Sequence, residues 1–225
     1  MKDIKIIFMK DFKLALVILC FNSNRLSNFL EKLSKFKFGC EVDLIFVHNK
    51  IEINSTKNRF NRTTAEINEV TDLIYSFKYE GIKTIVEREN VGEDMGAYHH
   101  IFTLFQNQYT HFFFLNEAAS INCDNWLALL HSGYNFDNSV VAISPQVCPS
   151  TTHSYCLTST FWGITSEFGK TMEWPAPKSR KDCEIQEMGL VWPQAKAQGY
   201  HIAQIGDGEN ILSYKNKHYV QEGVY

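Results

Sequence analysis

The sequence has no Cys-x-x-Cys pair, and its six cysteines (Cys20, Cys40, Cys123, Cys148, Cys156 and Cys183) are scattered without metal-ligand spacing. A cysteine-built metal centre is thereby excluded, and the thiols are expected to be reduced, as in a cytosolic protein. Positive charge is not in excess. The formal net charge is -3 and the sequence pI about 6.2, which argues against a nucleic-acid partner. No leader pattern opens the chain, and the apolar run Leu14 to Phe21 is too short to span a bilayer and stops at Asn22. No repeat and no Pro/Gly-rich linker marks a boundary, so one domain is expected over residues 1–225.

An apolar share of 44% is ample for a large core, and an aromatic share of 14%, with 17 phenylalanines, favours a packed globule over a disordered chain. Lysine and arginine do gather locally, at Lys32, Lys35 and Lys37 and again at Lys178, Arg180 and Lys181. Such clusters are solvated faces unless they meet an anionic ligand or a lipid surface.

Leu14 to Phe21 has the continuous apolar pattern of a strand buried on both faces. Asn22-Ser23-Asn24 supply helix-capping residues, and Leu26, Phe29, Leu30 and Leu33 then recur at helical spacing. A second strand is expected at Val42 to His48, a helix at Thr64 to Tyr79 and a third strand at Lys83 to Glu87. A helix at Asp94 to Gln106 and a fourth strand at His111 to Leu115 follow. This alternation predicts an α/β fold with right-handed crossovers and a mostly parallel sheet. The second half is less regular. It shows a helix at Trp126 to Tyr134, a strand at Val140 to Ser144, an aperiodic polar loop at Cys148 to Thr158 and a strand at Thr160 to Thr165. After the rigid break Trp174-Pro175-Ala176-Pro177 come a helix from Glu184 to Gln198, kinked by Pro193, and a last strand from Tyr200 to Ile205. Lys5 to Met9 is either a short edge strand or a lead-in.

The stretch Glu87 to Glu117 is the most informative. It ends a strand, turns at Gly92 and Gly96, enters a helix and continues into an apolar strand that breaks off at Asn116-Glu117. Two polar clusters, Asn90 to Asp94 and Asn116-Glu117, thus fall at the carboxyl ends of two strands, the edge where open α/β sheets bind ligands. The alternative is an acidic turn that only caps a helix, with Asp94 as its N-cap.

Taken in order, the pieces LALVILCFN, ENVGEDMGAY, HFFFLNEAAS and EIQEMGLVWPQAKAQGYHI carry a family resemblance. The chain resembles GT-A-fold glycosyltransferases, the family-2-like inverting enzymes and, more narrowly, rhamnan-synthesis F-type proteins. In the narrower group an Asn-x-Gly-x-Asp turn precedes a helix, as Asn90, Gly92 and Asp94 do here. The resemblance implies a GT-A-like, Rossmann-like sheet flanked by helices. A nucleotide-sugar-binding half would span about residues 1–120 and an acceptor-side half about 121–225. It also implies an inverting transfer of sugar from a nucleotide-sugar donor to a glycan or lipid-linked acceptor, in surface polysaccharide or lipopolysaccharide synthesis. Such an enzyme is expected in the cytoplasm, peripherally at the inner face of the membrane. The chain is short for a complete enzyme of this type, so it is expected either as one domain of a larger assembly or as a homodimer joined through aromatic surface. A catalytically inactive GT-A-like module that binds a glycan or a partner enzyme is the alternative. A nucleotidyltransferase is disfavoured because no Gly-rich Lys/Arg signature lies near the first strand.

The residues themselves divide by chemistry. Asn22 and Ser23 either present amide and hydroxyl groups to a nucleobase or ribose or simply cap the first helix. His48 and Asn49 end the second strand, where the resembled family places a base-reading acid that this chain lacks. Asn90, Gly92 and Asp94 form the donor-side turn, with Asp94 expected to accept from a sugar or ribose hydroxyl. Asn116-Glu117-Ala118 stands where the fold carries an Asp-x-Asp motif, which normally holds a divalent cation on the donor diphosphate. Only Glu117 remains as a carboxylate, with His218 as a second ligand for Mn²⁺ or Mg²⁺. A metal-independent mechanism, with Lys or Arg carrying the leaving-group charge, is equally open. An inverting transfer needs a general base, for which Glu187 is the first choice and Glu184 and Asp182 the fallbacks. Trp162 either stacks on the acceptor sugar or packs in the core.

Overall fold

A computed structural model describes residues 12–50, 62–135, 139–144, 147–150, 154–157, 161–174, 191–205 and 217–219. The expected strand at Lys5 to Met9 lies outside these residues, as do Asp182, Glu184, Glu187 and the start of the expected Glu184–Gln198 helix.

The first half alternates as expected: β1 (Leu14–Cys20), α1 (Ser23–Lys35), β2 (Asp43–Lys50), α2 (Thr64–Ser76), β3 (Lys83–Glu89), α3 (Glu93–Phe105) and β4 (His111–Asn116). Every residue of β1 is buried, because its apolar run has β2 on one side and β4 on the other and helices above and below. Local chemistry sets the helix ends. The Asn22 side chain accepts from the Arg25 N–H at 3.0 Å to start α1. Thr63 and Glu66 form a capping box that starts α2. The Lys83 ammonium closes the far end of α2 by donating to the carbonyls of Ile74, Tyr75 and Phe77.

The second half continues with α4 (Trp126–His131), β5 (Val140–Ser144), β6 (Val147–Ser150), β7 (Ser154–Leu157), β8 (Phe161–Thr165), α5 (Ser166–Thr171), α6 (Val191–Ala197), β9 (His201–Ile205) and β10 (Lys217–Tyr219). The helix expected to run to Tyr134 tightens into a 3-10 turn over Ser132–Asn135. The loop expected at Cys148 to Thr158 contains the antiparallel ribbon β6–β7, a separate two-stranded sheet. Backbone ladder bonds pair its two strands, and such bonds require no apolar periodicity. The helix α5 also escaped sequence reading, its six residues being too few to show a period. Tyr200 to Ile205 does not end the sheet, since β10 pairs antiparallel with β9. Within α6, Pro193 falls among the first residues of the described Val191–Ala197 turn.

The main sheet has the order β10-β9-β5-β8-β4-β1-β2-β3. Pairing is parallel from β3 to β4 and between β5 and β9, while β8 is wedged antiparallel between β4 and β5. One core lies under α1, α2 and α4 and the other under α3, α5 and α6. Gly163 lets the wedge strand close up, since a Cβ there would lie 2.6 Å from the Phe113 ring. Among the described residues no helix is long and apolar enough to cross a membrane.

At the amino edge of the sheet, His111 and His131 lie with ring centroids 4.8 Å apart, beside Tyr134 and with Phe12 stacked on His131. Burial pushes His111 down to about 3, helped by the charge of His131, and His131 down to about 4. Both rings are neutral in the folded protein and titrate near 6.5 when unfolded. Their contribution is complete above the unfolded value and is lost as pH falls toward the folded values. The urea midpoint is therefore expected to drop between about pH 6.5 and 4, and a double His111→Gln/His131→Gln variant should show a flatter profile. A wild-type midpoint constant across that range would contradict the burial of these rings.

Candidate functional site

From β1 the chain steps to β2 and β3 on one side, then returns to lay β4 on the other side of β1. In an open α/β sheet that reversal leaves a crevice outside the carboxyl ends of the two central strands. Asn22 follows one of those ends and Glu117 the other. The Asn22 N–H donates to Glu117 Oε1 at 3.1 Å, joining the two sides of the crevice. Burial lifts the Glu117 carboxyl above its usual range, with the Asn22 N–H and the Arg25 charge opposing that shift. Its second oxygen, Oε2, is shielded from solvent and makes no hydrogen bond among the described residues.

Strand alternation sends neighbouring residues to opposite faces, and it separates the expected donor residues. β2 runs on to Lys50, so His48 lies inside the strand rather than at its tip. Its ring is buried toward α2, with Nδ1 3.4 Å from Thr71 Oγ1, and desolvation, aided by Arg62 and Lys50, takes it down to about 4. Asn49 belongs to the α3 face. Arg88 Nη1 donates to its Oδ1 at 2.7 Å, and its Nδ2 donates to Asn90 Oδ1 at 3.1 Å. Arg88 Nη2 also donates to the Val91 carbonyl at 2.7 Å, so one guanidinium braces the strand end and the turn together.

The turn itself is tight. Gly92 is the N-cap of α3 in the left-handed region at φ 75°, and it provides no side-chain cap. Asp94 is therefore not the N-cap. It sits in the first turn of the helix and accepts from Asn116 Nδ2 at 3.1 Å, while Asn116 Oδ1 accepts from the Ala118 N–H at 3.0 Å. Asn116, at the end of β4, thus fixes the orientation of Asp94.

The Asn22 amide oxygen is engaged as the α1 cap, and Ser23 is buried in the first turn of that helix. Trp162 is buried in the α3-side core, with ring centroids 5.0 Å from Phe114 and 6.0 Å from Trp174. The backbone of His218 pairs opposite Gln204 in β10. Four strand spacings separate β10 from β4, roughly 19 Å along the sheet, so the sheet does not bring His218 beside Glu117. Among the described residues no three His, Cys, Asp or Glu side chains converge on a point. With Glu117 Oε1 turned to the Asn22 N–H and Asn116 to Asp94, these residues do not assemble a divalent-cation site.

Sequence reading missed two cations. Arg62 is buried at the tips of β1 and β2, its guanidinium 4.3 Å from the centre of the Phe21 ring and its Nη1 3.4 Å from the Asn49 carbonyl. Desolvation lowers its pKa, against the pull of Glu66 and Glu117. Nothing local marked it, since it closes a polar loop. Arg88 was visible only as the middle residue of Glu-Arg-Glu at a strand end.

No protein-family model matches the chain, and no curated protein matches it. Among solved structures it is similar to a CMP:2-keto-3-deoxy-manno-octonic acid synthetase complexed with CTP, with a TM-score of 0.51, 9% identity and coverage of 87% of this chain and 90% of that one. A 4-diphosphocytidyl-2C-methyl-D-erythritol synthase from Anaerococcus prevotii matches at TM-score 0.46 and 11% identity, covering 77% and 84%. A UTP-bound UGPase from Acinetobacter baumannii matches at 0.42 and 10%, covering 84% and 94%. At such identities the first likeness is one of fold, and the chain has a GT-A-like, Rossmann-like α/β architecture.

The tightness of the α3 turn has a measurable consequence. A Cβ on Gly96 would lie 2.2 Å from the Val91 carbonyl oxygen. Helix propensity alone would make Gly96→Ala stabilising by about 1 kcal/mol, whereas overpacking predicts a loss of about 1–3 kcal/mol. We expect the loss, read as a lower thermal midpoint. A raised midpoint would show that the turn has room.

Proposed function

We propose that the chain is a nucleotide-sugar-dependent transferase, and specifically an inverting glycosyltransferase acting on a glycan or lipid-linked acceptor in surface polysaccharide or lipopolysaccharide synthesis. The observation that carries this reading is the braced polar network at the carboxyl edge. Asn49 and Asn90 are held by Arg88, and Asp94 is held by Asn116, beside the crevice that Glu117 and Asn22 span. Side chains oriented in advance suit recognition of ribose, base and sugar hydroxyls, because little conformational freedom remains to be lost on binding. The fold likeness to a CTP-bound enzyme supports a nucleotide as the occupant.

In this reading the donor lies across the crevice, with Asp94 accepting from a sugar or ribose hydroxyl and Asn22, Ser23 and Asn49 nearby. Glu187, with Glu184 and Asp182 as the other choices, takes the proton of the acceptor hydroxyl as its oxygen attacks the anomeric carbon from the face opposite the leaving diphosphate. Trp162 supports the acceptor side from within the core. We assign the charge on the departing diphosphate to Arg25, Arg62 and Arg88 and give no step to a metal ion. The halves at about residues 1–120 and 121–225 then serve donor and acceptor. Work at the cytoplasmic face of a membrane and as a homodimer belongs to the same proposal.

A second reading is nucleotidyl transfer, favoured by the fold likeness to a CMP-sugar synthetase. The two differ in product. Glycosyl transfer releases a nucleoside diphosphate from a sugar nucleotide, and nucleotidyl transfer releases pyrophosphate from a nucleoside triphosphate.

A panel of sugar nucleotides and nucleoside triphosphates, each with chelator and with Mn²⁺, tests the choice. We expect nucleoside diphosphate release that survives chelation. Pyrophosphate release would favour the second reading. No turnover together with no thermal shift for any nucleotide would leave the inactive binding module. In an active enzyme Glu187→Gln should cut kcat by about 10²–10⁴ without changing the melting midpoint, and full activity would refute the base assignment.

A further inference from the structure

The hydrogen bonds at the ends of β2 and β3 run in one direction. A guanidinium can only donate, so the bond from Arg88 Nη1 to Asn49 at 2.7 Å settles which end of that amide is the oxygen. The Nδ2 end is thereby turned to Asn90 and donates to its Oδ1 at 3.1 Å. The Asn90 Nδ2 is left as the outward end of the relay. Asn49 is only 2% exposed, and its amide cannot turn over without losing both bonds. Asn90 is half-buried, and its Nδ2 is open to solvent and makes no hydrogen bond to a described residue. We propose that Asn90 selects the ligand by offering donors alone to a keto oxygen of a nucleobase, with Arg88 and Asn49 as the positioning residues that set this polarity.

This selection rests on the nucleotide occupant proposed above. Asn90 follows β3, and its N–H donates to the Lys50 carbonyl at 3.3 Å, so the residue stands beside the tip of β2. β3 lies two strand spacings from β1, roughly 10 Å along the sheet. With the diphosphate in the crevice at β1 and β4 and the sugar directed to the acceptor half, the base extends over the β2–β3 flank. A hydroxyl both donates and accepts, so a fixed donor would select little there. Uracil, thymine and guanine carry a keto oxygen where cytosine and adenine carry an amino group. An amino group facing Asn90 would set donor against donor and leave both unpaired.

The relay makes two different substitutions equivalent. In Asn90→Asp one carboxylate oxygen still accepts from Asn49 Nδ2, and the other faces outward as an acceptor. In Asn49→Asp the new carboxylate accepts from Arg88 but has no N–H for Asn90. The Asn90 amide then turns, donates inward and presents Oδ1. Both changes reverse the outward polarity, the second through a residue that acts only by way of Asn90.

Calorimetric titration of the full chain with UDP against CDP, and with IDP against ADP, tests the selection, with chelator and with Mn²⁺. Each pair exchanges a keto oxygen for an amino group while ribose and phosphates stay the same. In the wild type the keto member is expected to bind roughly 10-fold tighter. Asn90→Ala should bring the ratio near one, and Asn90→Asp and Asn49→Asp should each reverse it, with folding checked by the melting midpoint. Equal binding within each pair, or a wild-type preference for the amino member, would overturn the proposal even if a variant fails to fold. An Asn90→Asp variant that keeps the wild-type ratio would overturn it too. That includes equal weakening of both members, which would assign Asn90 to a phosphate or a hydroxyl. Binding of no nucleotide at all would overturn the nucleotide reading and this selection with it, and is thus distinct from binding without selection.

Discussion

β1 is dry along its whole length, so every backbone N–H and C=O in it must be paired inside the sheet. β2 supplies partners on one side from Ala15↔Asp43 to Cys20↔His48, and β4 on the other from Leu14↔His111 to Leu19↔Asn116. The chain can meet that demand only by building outward to β3 and then crossing back. The reversal opens the crevice at the ends of β1 and β4 and brings Glu117 to the Asn22 N–H just past β1. The candidate site is in this sense a by-product of satisfying a buried strand.

Around that crevice the polar side chains orient one another. Asn49 has both ends of its amide engaged, by Arg88 and by Asn90, and Asn116 likewise by Asp94 and the Ala118 N–H. Arg62 belongs to the opposite face, packed on Phe21 and tied to the Asn49 carbonyl. A buried guanidinium is costly unless anions or carbonyls surround it, and Glu117 and Glu66 both lie close enough to stabilise its charge. Glu117 in turn is held in a dry position where its charge is disfavoured. Acid and base thus moderate one another across the tips of β1, β2 and β4.

The second half adds a different kind of wall. The antiparallel β8 places Trp162 against Phe114, and Tyr98 of α3 and Trp174 complete an aromatic block between the sheet and that helix. Between β5 and β8 the chain also forms the separate β6–β7 ribbon.

The α/β architecture was legible in the chain because periodicity is local. The run LALVILC, the leucine stripe of α1 and the phenylalanines of β4 each report their own burial. The same holds for Asn90, Gly92, Asp94 and Asn116-Glu117, whose placement at strand ends follows from where apolar runs stop. What those residues touch was not legible. Whether Asp94 caps its helix or meets Asn116, and whether His48 faces the edge or α2, depends on a one-residue difference in strand ends and on which face each position takes. Arg62 stands 55 residues (62 to 117) before Glu117, whose charge acts on it in the fold, and no local pattern marks the approach. The sequence by itself determined the order of elements and the edge at which polar residues collect, since apolar patterning acts within each segment. Only the tertiary structure decided their partners, because contacts between Asn22 and Glu117, or Asn49 and Arg88, exist only once distant strands are paired in register.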